Sequence, residues 1–264
     1  LCDLELYDEA EKKLLIAIES KENYADAYAN LGIAMRGMKK FKLAIKLLKS
    51  FQENYKSNNL LLLNTISGLL IEDKNFEEAL FFSQKVVSIN SFDKSGGFNI
   101  GIALFELEKY VEAEDQFRKI LSKYSNYEDC LIYLINCLKK NGKTIECLGL
   151  IETYIHKYPK TFKIREHYIS ILINLEKHSH AFQALENYLK LFPENDNILF
   201  LYGKNYFFQN NYEQAECYYK RSLTKNPKNI ASANGIGVLL NSKFKFHKAI
   251  KVFKDVIKNI KVNA

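Results

Sequence analysis

A 34-residue period constrains this chain more than any other feature of its 264 residues. Small residues recur at Ala10, Ala44, Ala79, Ala113, Cys147, Ala181, Ala215 and Ala249, in steps of 34 except for one step of 35 between Ala44 and Ala79. All three prolines, Pro159, Pro193 and Pro227, keep the same period. Three residues before most of the small residues stands an aromatic: Tyr7, Phe41, Phe76, Tyr110, Tyr212 and Phe246, with Thr144 and His178 as the exceptions. A second pattern precedes each of these, for example Tyr28, Leu31, Gly32 and Met35, or Leu199, Tyr202, Gly203 and Tyr206. Spacings of three, one and three place four residues on one face of an α-helix.

Each unit therefore reads as two short antiparallel helices joined by a turn of the "NNYEQA" type. Neither helix can bury its apolar stripe alone, so the units must stack and share one core. The fold class predicted is all-α, an α-solenoid of 34-residue repeats. Where two helices cross closely, a larger side chain in place of the small one overpacks at a cost of about 1–3 kcal/mol. Gly32, Gly101, Gly203 and Gly237 are expected to serve the same close approach on the first helix of their units. Ile135 and Ile169 stand at that position in the units near 128 and 162, where the helices are expected to sit further apart. The extra residue of the 35-residue step is expected in the loop "ENYKSNN".

The stretch "YDEAEKKLLIAIESKENYADAYANLG", residues 7–32, carries a pattern that resembles the tetratricopeptide repeat family, and the resemblance extends over essentially the whole chain. It implies a right-handed superhelix of antiparallel helix pairs. Residues 1–24 would hold the second helix of a truncated leading repeat, and residues 25–264 seven tandem repeats starting near 25, 60, 94, 128, 162, 196 and 230. Because the chain begins at Leu1, inside a repeat and without a signal-like segment, it is expected to be a fragment of a longer protein. Residues 246–260 keep Ile250, Phe253, Val256, Ile257 and Ile260 without a polar outer cap, as if more structure follows.

At 100° per residue, positions 2, 5, 9, 12 and 13 of each first helix point away from the core. In proteins similar to this one those positions line a concave surface that grips an extended peptide or a partner's helix. The residues expected on that face, with the neighbouring asparagines of position 6, are Asn30, Arg36, Asn64, Phe98, Asn99, Phe105, Asn136, Lys139, Phe200, Lys204, Phe207 and Asn234. Phe98, Phe105, Phe200 and Phe207, with Phe208 beside them, put rings where a solvated face would be polar. They read either as packing between units or as apolar anchors flanked by Lys139, Lys140 and Lys204. No unit carries Lys at position 5, so the carboxylate clamp of chaperone-binding relatives is absent. Asn30 and Asn99 alone do not make the asparagine ladder of sugar-transferring relatives.

No catalytic constellation is legible, and no cofactor or metal is expected. In "NGKT", residues 141–144, Cys137 stands where a phosphate-binding loop needs glycine. "HSH", residues 178–180, offers two imidazoles without a third ligand and reads as a solvated turn. Acidic pairs such as Glu77 and Glu78 suit a helix start. Cys2, Cys130, Cys137, Cys147 and Cys217 form no C-x-x-C pair and read as reduced, packed thiols, which places the chain in the cytoplasm. The net charge of +7 is spread among alternating lysines and acids, so nucleic acid is not the expected partner. No apolar run is long enough to cross a bilayer. The function expected is a non-enzymatic protein–protein interaction scaffold. The alternative is a substrate-positioning or regulatory region of a larger enzyme, such as a glycosyl- or sulfotransferase, whose catalytic domain lies outside these residues. Self-association through uncapped terminal repeats is a third expectation.

Overall fold

The aromatic positions of the repeat, Tyr7, Phe41, Phe76, Tyr110, Tyr212 and Phe246, are helix starts. The computed structural model describes residues 6–193 and 195–261 and holds fifteen α-helices among them. They divide into two compact units after Thr144. The first contains α1 (Tyr7–Ser20), α2 (Ala25–Gly37), α3 (Phe41–Tyr55), α4 (Leu60–Glu72), α5 (Phe76–Ile89), α6 (Lys94–Glu106), α7 (Tyr110–Lys123) and α8 (Glu128–Lys140). The second contains α9 (Thr144–Lys157), α10 (Phe162–Asn174), α11 (His178–Leu191), α12 (Asp196–Phe208), α13 (Tyr212–Lys225), α14 (Ile230–Ser242) and α15 (Phe246–Lys261). Tyr212 and its counterparts thus open the second helix of a pair instead of lying in the turn before it. Cys2 lies outside the described residues.

A repeated backbone turn joins the two helices of a pair. Lys39, Lys74, Glu108, Gly142, Glu176, Asn210 and Phe244 all have positive φ, and they too keep the sequence period. The next residue's N–H reaches back five residues, as in Lys40 to the Met35 carbonyl at 2.9 Å, Lys143 to Leu138 at 2.8 Å and Asn211 to Tyr206 at 3.0 Å. This closure satisfies carbonyls that the helix end would leave unpaired. A left-handed residue with a Cβ costs about 1–2 kcal/mol, so the recurrence of the turn with Lys and Glu shows how strongly the pair geometry imposes it. Lys56 is the other positive-φ residue among the described residues, at 44°, and it ends α3. The extra residue of the 35-residue step is absorbed there: Glu53 to Tyr55 remain helical, and α3 runs 15 residues where α1 and α5 run 14.

All eight small residues of the register are buried, from 0 to 3% exposed. Within the first unit α2 packs on α3, α4 on α5 and α6 on α7, and the first helices α2, α4, α6 and α8 lie side by side. The second unit repeats this with α10 on α11, α12 on α13 and α14 on α15, and with α12 between α10 and α14. At Gly101 an added Cβ would run into the Phe117 ring, and at Gly203 it would lie 2.6 Å from Tyr219 Cδ1. Gly32 and Gly237 face Leu48 and Phe253 in the same way, so the close approach expected of these four glycines is present. Ile135 and Ile169 are buried.

Candidate functional site

In the first unit the faces of α2, α4 and α6 opposite the core enclose a groove of about 350 Å3. Ile33 and Arg36 of α2 form one wall, and Ser95, Phe98, Asn99 and Ile102 of α6 the other. Asn64, Gly68, Ile71 and Glu72 of α4 lie between them. Gly68 has no atom within 4 Å of where a Cβ would stand. Unlike Gly101, it makes room for something outside the chain's own core.

Neighbouring first helices join their polar side chains across this face. Asn59 Nδ2 donates to Asp26 Oδ1 at 2.8 Å, Asn64 Nδ2 to Asp93 Oδ1 at 3.1 Å and Asn99 Nδ2 to Ser67 Oγ at 2.6 Å. Arg36 Nε donates to Glu72 Oε1 at 2.7 Å, and Asn30 Nδ2 to the Asp26 backbone carbonyl at 2.8 Å. Asn64 Oδ1 is buried and receives no donor from the described residues. A buried acceptor left unsatisfied costs about 1–3 kcal/mol.

The four expected aromatic anchors are half-buried, and packing is their first role. Phe98 lies 4.9 Å from the Tyr127 ring, 5.6 Å from Tyr133 and 5.9 Å from Phe117. Phe105 meets Tyr110 at 5.3 Å and Tyr133 at 5.8 Å. Phe200 stacks on Tyr219 at 5.9 Å, and Phe207 sits 5.8 Å from Phe208 and 5.6 Å from Tyr212. Phe98 and Phe200 also border grooves. On α8, Asn136 is half-buried and Lys139 exposed, while Lys140 Nζ stands 5.4 Å over the Tyr110 ring.

The second unit has a smaller groove of about 250 Å3 on the same face of α10, α12 and α14, bordered by Glu166, His167, Ser170, Asn197 and Phe200. Lys204 Nζ donates to Ser170 Oγ at 2.9 Å and lies 5.9 Å from the Phe208 ring. Asn234 is exposed on α14. Burial pushes the Glu166 carboxyl above its ordinary range and the Asp196 charge adds to this; hydrogen bonds from Asn197 and Tyr188 oppose it without prevailing.

Other motifs of the sequence serve the fold. Lys143 of "NGKT" places Nζ 2.9 Å from Glu114 Oε1, and Asn141 Nδ2 donates to Oε2 at 2.7 Å. His178 Nδ1 lies 2.8 Å from Oδ1 of the buried Asn205. Glu78 pairs with Lys49. Cys130, Cys137 and Cys147 are buried, and burial lifts the first two thiols to about 12, with the Cys137 charge adding to the first and the Glu114 charge to the second. Cys217 departs from the packed-thiol expectation: two residues past Ala215 on α13, it faces outward and is exposed. Among the described residues no cluster of three His, Cys, Asp or Glu could hold a metal, and no helix is long and apolar enough to cross a membrane.

Comparison with known proteins follows the same register. The tetratricopeptide repeat family profile matches residues 97–127 and 196–229. The tetratricopeptide repeat-containing protein trd-1 of Caenorhabditis elegans is 23% identical over 187 residues, 70% of this chain; the chain spans only 23% of that relative's length. A tetratricopeptide repeat protein from Parabacteroides merdae has a similar fold, with a TM-score of 0.68 at 19% identity over 90% of this chain and 94% of that one. A chain of the APC/C hetero-tetramer Cut9–Hcn1 is similar as well, with a TM-score of 0.65 at 11% identity over 91% of this chain and 47% of that one.

Proposed function

Starting from a chain that is a tetratricopeptide repeat protein, a tandem array of helix pairs, we propose that it works by holding a segment of a partner protein against its first-helix faces. Proteins of this family generally mediate protein–protein contacts, and the similar Cut9–Hcn1 structure is itself an assembly of two kinds of protein. The observation that carries the reading is the first-unit groove, lined by Asn64, Phe98 and Asn99 and left open at Gly68. The walls are preordered by the side-chain bonds between helices, so the ordering cost of binding falls mainly on the partner. On this reading these residues bind without catalysing, and residues 25–264 act as seven repeats. The buried thiols support a reducing, cytoplasmic setting.

Substitution of Phe200 or Phe207 is a poor test, because losing a packed ring costs about 3–5 kcal/mol of stability. Gly68→Leu is better: it fills the groove, meets no atom within 4 Å at Cβ and raises helix propensity. Affinity capture from native lysate, read by mass spectrometry, should give a partner held by the unaltered chain and lost from the folded variant. Equal capture by both would remove the groove from the account. A second reading, in which the array positions substrates for a catalytic domain outside these residues, draws on the far greater length of the C. elegans relative. It predicts that the longer protein's activity, and not only its binding, falls with Gly68→Leu.

A further inference from the structure

On another side of the second unit, α13, α14 and α15 enclose a groove of about 740 Å3. Ile236 and Leu240 form its floor from α14, with Leu223 of α13 and Val252 of α15 beside them. Ile236 is position 7 of α14, whereas Ala231, position 2, borders the smaller groove described above. Five residues of helix separate their directions by about 140°, so the two grooves are distinct.

The rims of this groove are cationic. Lys220 and Lys243 both pair with Glu216, at 2.7 and 3.3 Å. Hydrogen bonding by Lys220, helped by Lys243, overcomes burial and holds the Glu216 carboxyl below its ordinary range. Glu216 is therefore committed to lysines already in the wall. Lys245, Lys248 and Lys251 line the other rim and form no ion pair among the described residues; Asp255 is the second carboxylate of the lining. Along α15 the general alternation of charge breaks down, because Asp255 is its only acid.

We propose that this groove is a second docking site and that it receives an acidic peptide segment of a partner, anchored by a leucine-like side chain. Five lysines face two carboxylates, which attracts and orients a negatively charged segment. The apolar floor gives that segment somewhere to bury a side chain, the component that holds once the charges have steered it. A nucleic-acid strand matches the site less well. The lining has no aromatic ring on which a base could stack, and Glu216 and Asp255 repel a continuous phosphate chain.

The test uses the intact chain and a fluorescein-labelled peptide of alternating glutamate and leucine, followed by anisotropy at two salt concentrations. The double variant Lys248→Glu, Lys251→Glu should weaken binding by about tenfold or more, and added salt should weaken it further. A matched charge reversal in the first unit, Lys12→Glu with Lys46→Glu, should leave affinity within about twofold. Lys248→Gln with Lys251→Gln gives a second readout that introduces no new repulsion. Gly68→Leu should have no effect, so failure of this site and failure of the first groove register separately. Absence of binding to the intact chain, equal weakening by both charge reversals, or tighter binding of a single-stranded oligothymidine than of the peptide would each overturn the proposal.

Discussion

Glu114 on α7 and Glu166 on α10 are glutamates held against neighbouring helices, one in each unit, and their surroundings push them in opposite directions. Burial disfavours charge on both. Around Glu114, whose side chain is 4% exposed, stand Lys143 Nζ at 2.9 Å, Asn141 Nδ2 at 2.7 Å and Arg118 Nη2 at 2.9 Å. These hydrogen bonds and the Lys143 charge outweigh burial and hold the carboxyl below its ordinary range. Glu166 has the Tyr188 hydroxyl at 3.4 Å, the Asn197 amide and the Asp196 charge, and burial prevails. Neutral donors soften the desolvation of a carboxylate; cations reverse it. The Glu114 arrangement is also part of the repeat. Glu11 meets Lys40 at 3.3 Å, and Glu216, three periods after Glu114, meets Lys243.

The strongest way to break the comparison is Glu114→Ala. Removing one partner of a fully buried ion pair costs about 3–5 kcal/mol. Here Arg118 and Lys143 are 37% and 46% exposed, so water recovers part of the loss and about 2 kcal/mol is expected. Because Asn141 and Lys143 lie in the turn after α8, amide exchange should quicken across α7 and α8. Unchanged exchange there would mean that the cluster decorates the pair without holding it.

Next in size is the contrast between glycines. Gly101→Ala meets the Phe117 ring and should cost about 1–3 kcal/mol. In the second unit Gly203→Ala should cost at least as much, since the Ala215 carbonyl, 3.2 Å from the added carbon, belongs to the backbone and cannot rotate away. Gly68→Ala meets open space and should gain up to about 1 kcal/mol through helix propensity. Urea unfolding of the three variants orders them. A loss at Gly68 equal to that at Gly101 would show that the first groove closes in solution.

The period carried the fold because burial of one side chain per turn of helix is a local rule, and the eight small residues obey it without exception. The turns were not legible from composition. Gly142 and Asn210 suit positive φ, but Lys39, Lys74, Glu108, Glu176 and Phe244 adopt it because the pair geometry demands it. On the first-helix faces, the outward positions could be read from 100° per residue, yet the partner of each polar residue could not. Asn59 reaches back 33 residues to Asp26 while Asn64 reaches forward 29 to Asp93, a choice set by how neighbouring helices lean. The rings read either as packing or as anchors all touch other rings, and Phe98 and Phe200 also border grooves, since periodicity gives a direction and not what occupies it. Lys143 looked like a fragment of a nucleotide motif because its carboxylate partner lies 29 residues away.

The smallest effect is the one that tests the opening contrast most directly. The ordinary glutamate value is 4.5, and Glu114 titrates below it in the folded chain. Its stabilisation is therefore complete above that value and lost as pH falls through the lower folded value. Glu166 titrates above 4.5, so its contribution favours folding at low pH and is lost as pH rises through the higher folded value. On acidification from neutrality the α10 to α12 region should first become firmer, and only below about pH 4.5 should α7 and α8 loosen. Amide exchange at a series of pH values, corrected for the intrinsic rate, separates the two. Glu166→Gln has no proton to gain and should remove the first phase while leaving the second. Persistence of the first phase in that variant would assign it to another group and leave the carboxyl of the second groove without its predicted strain.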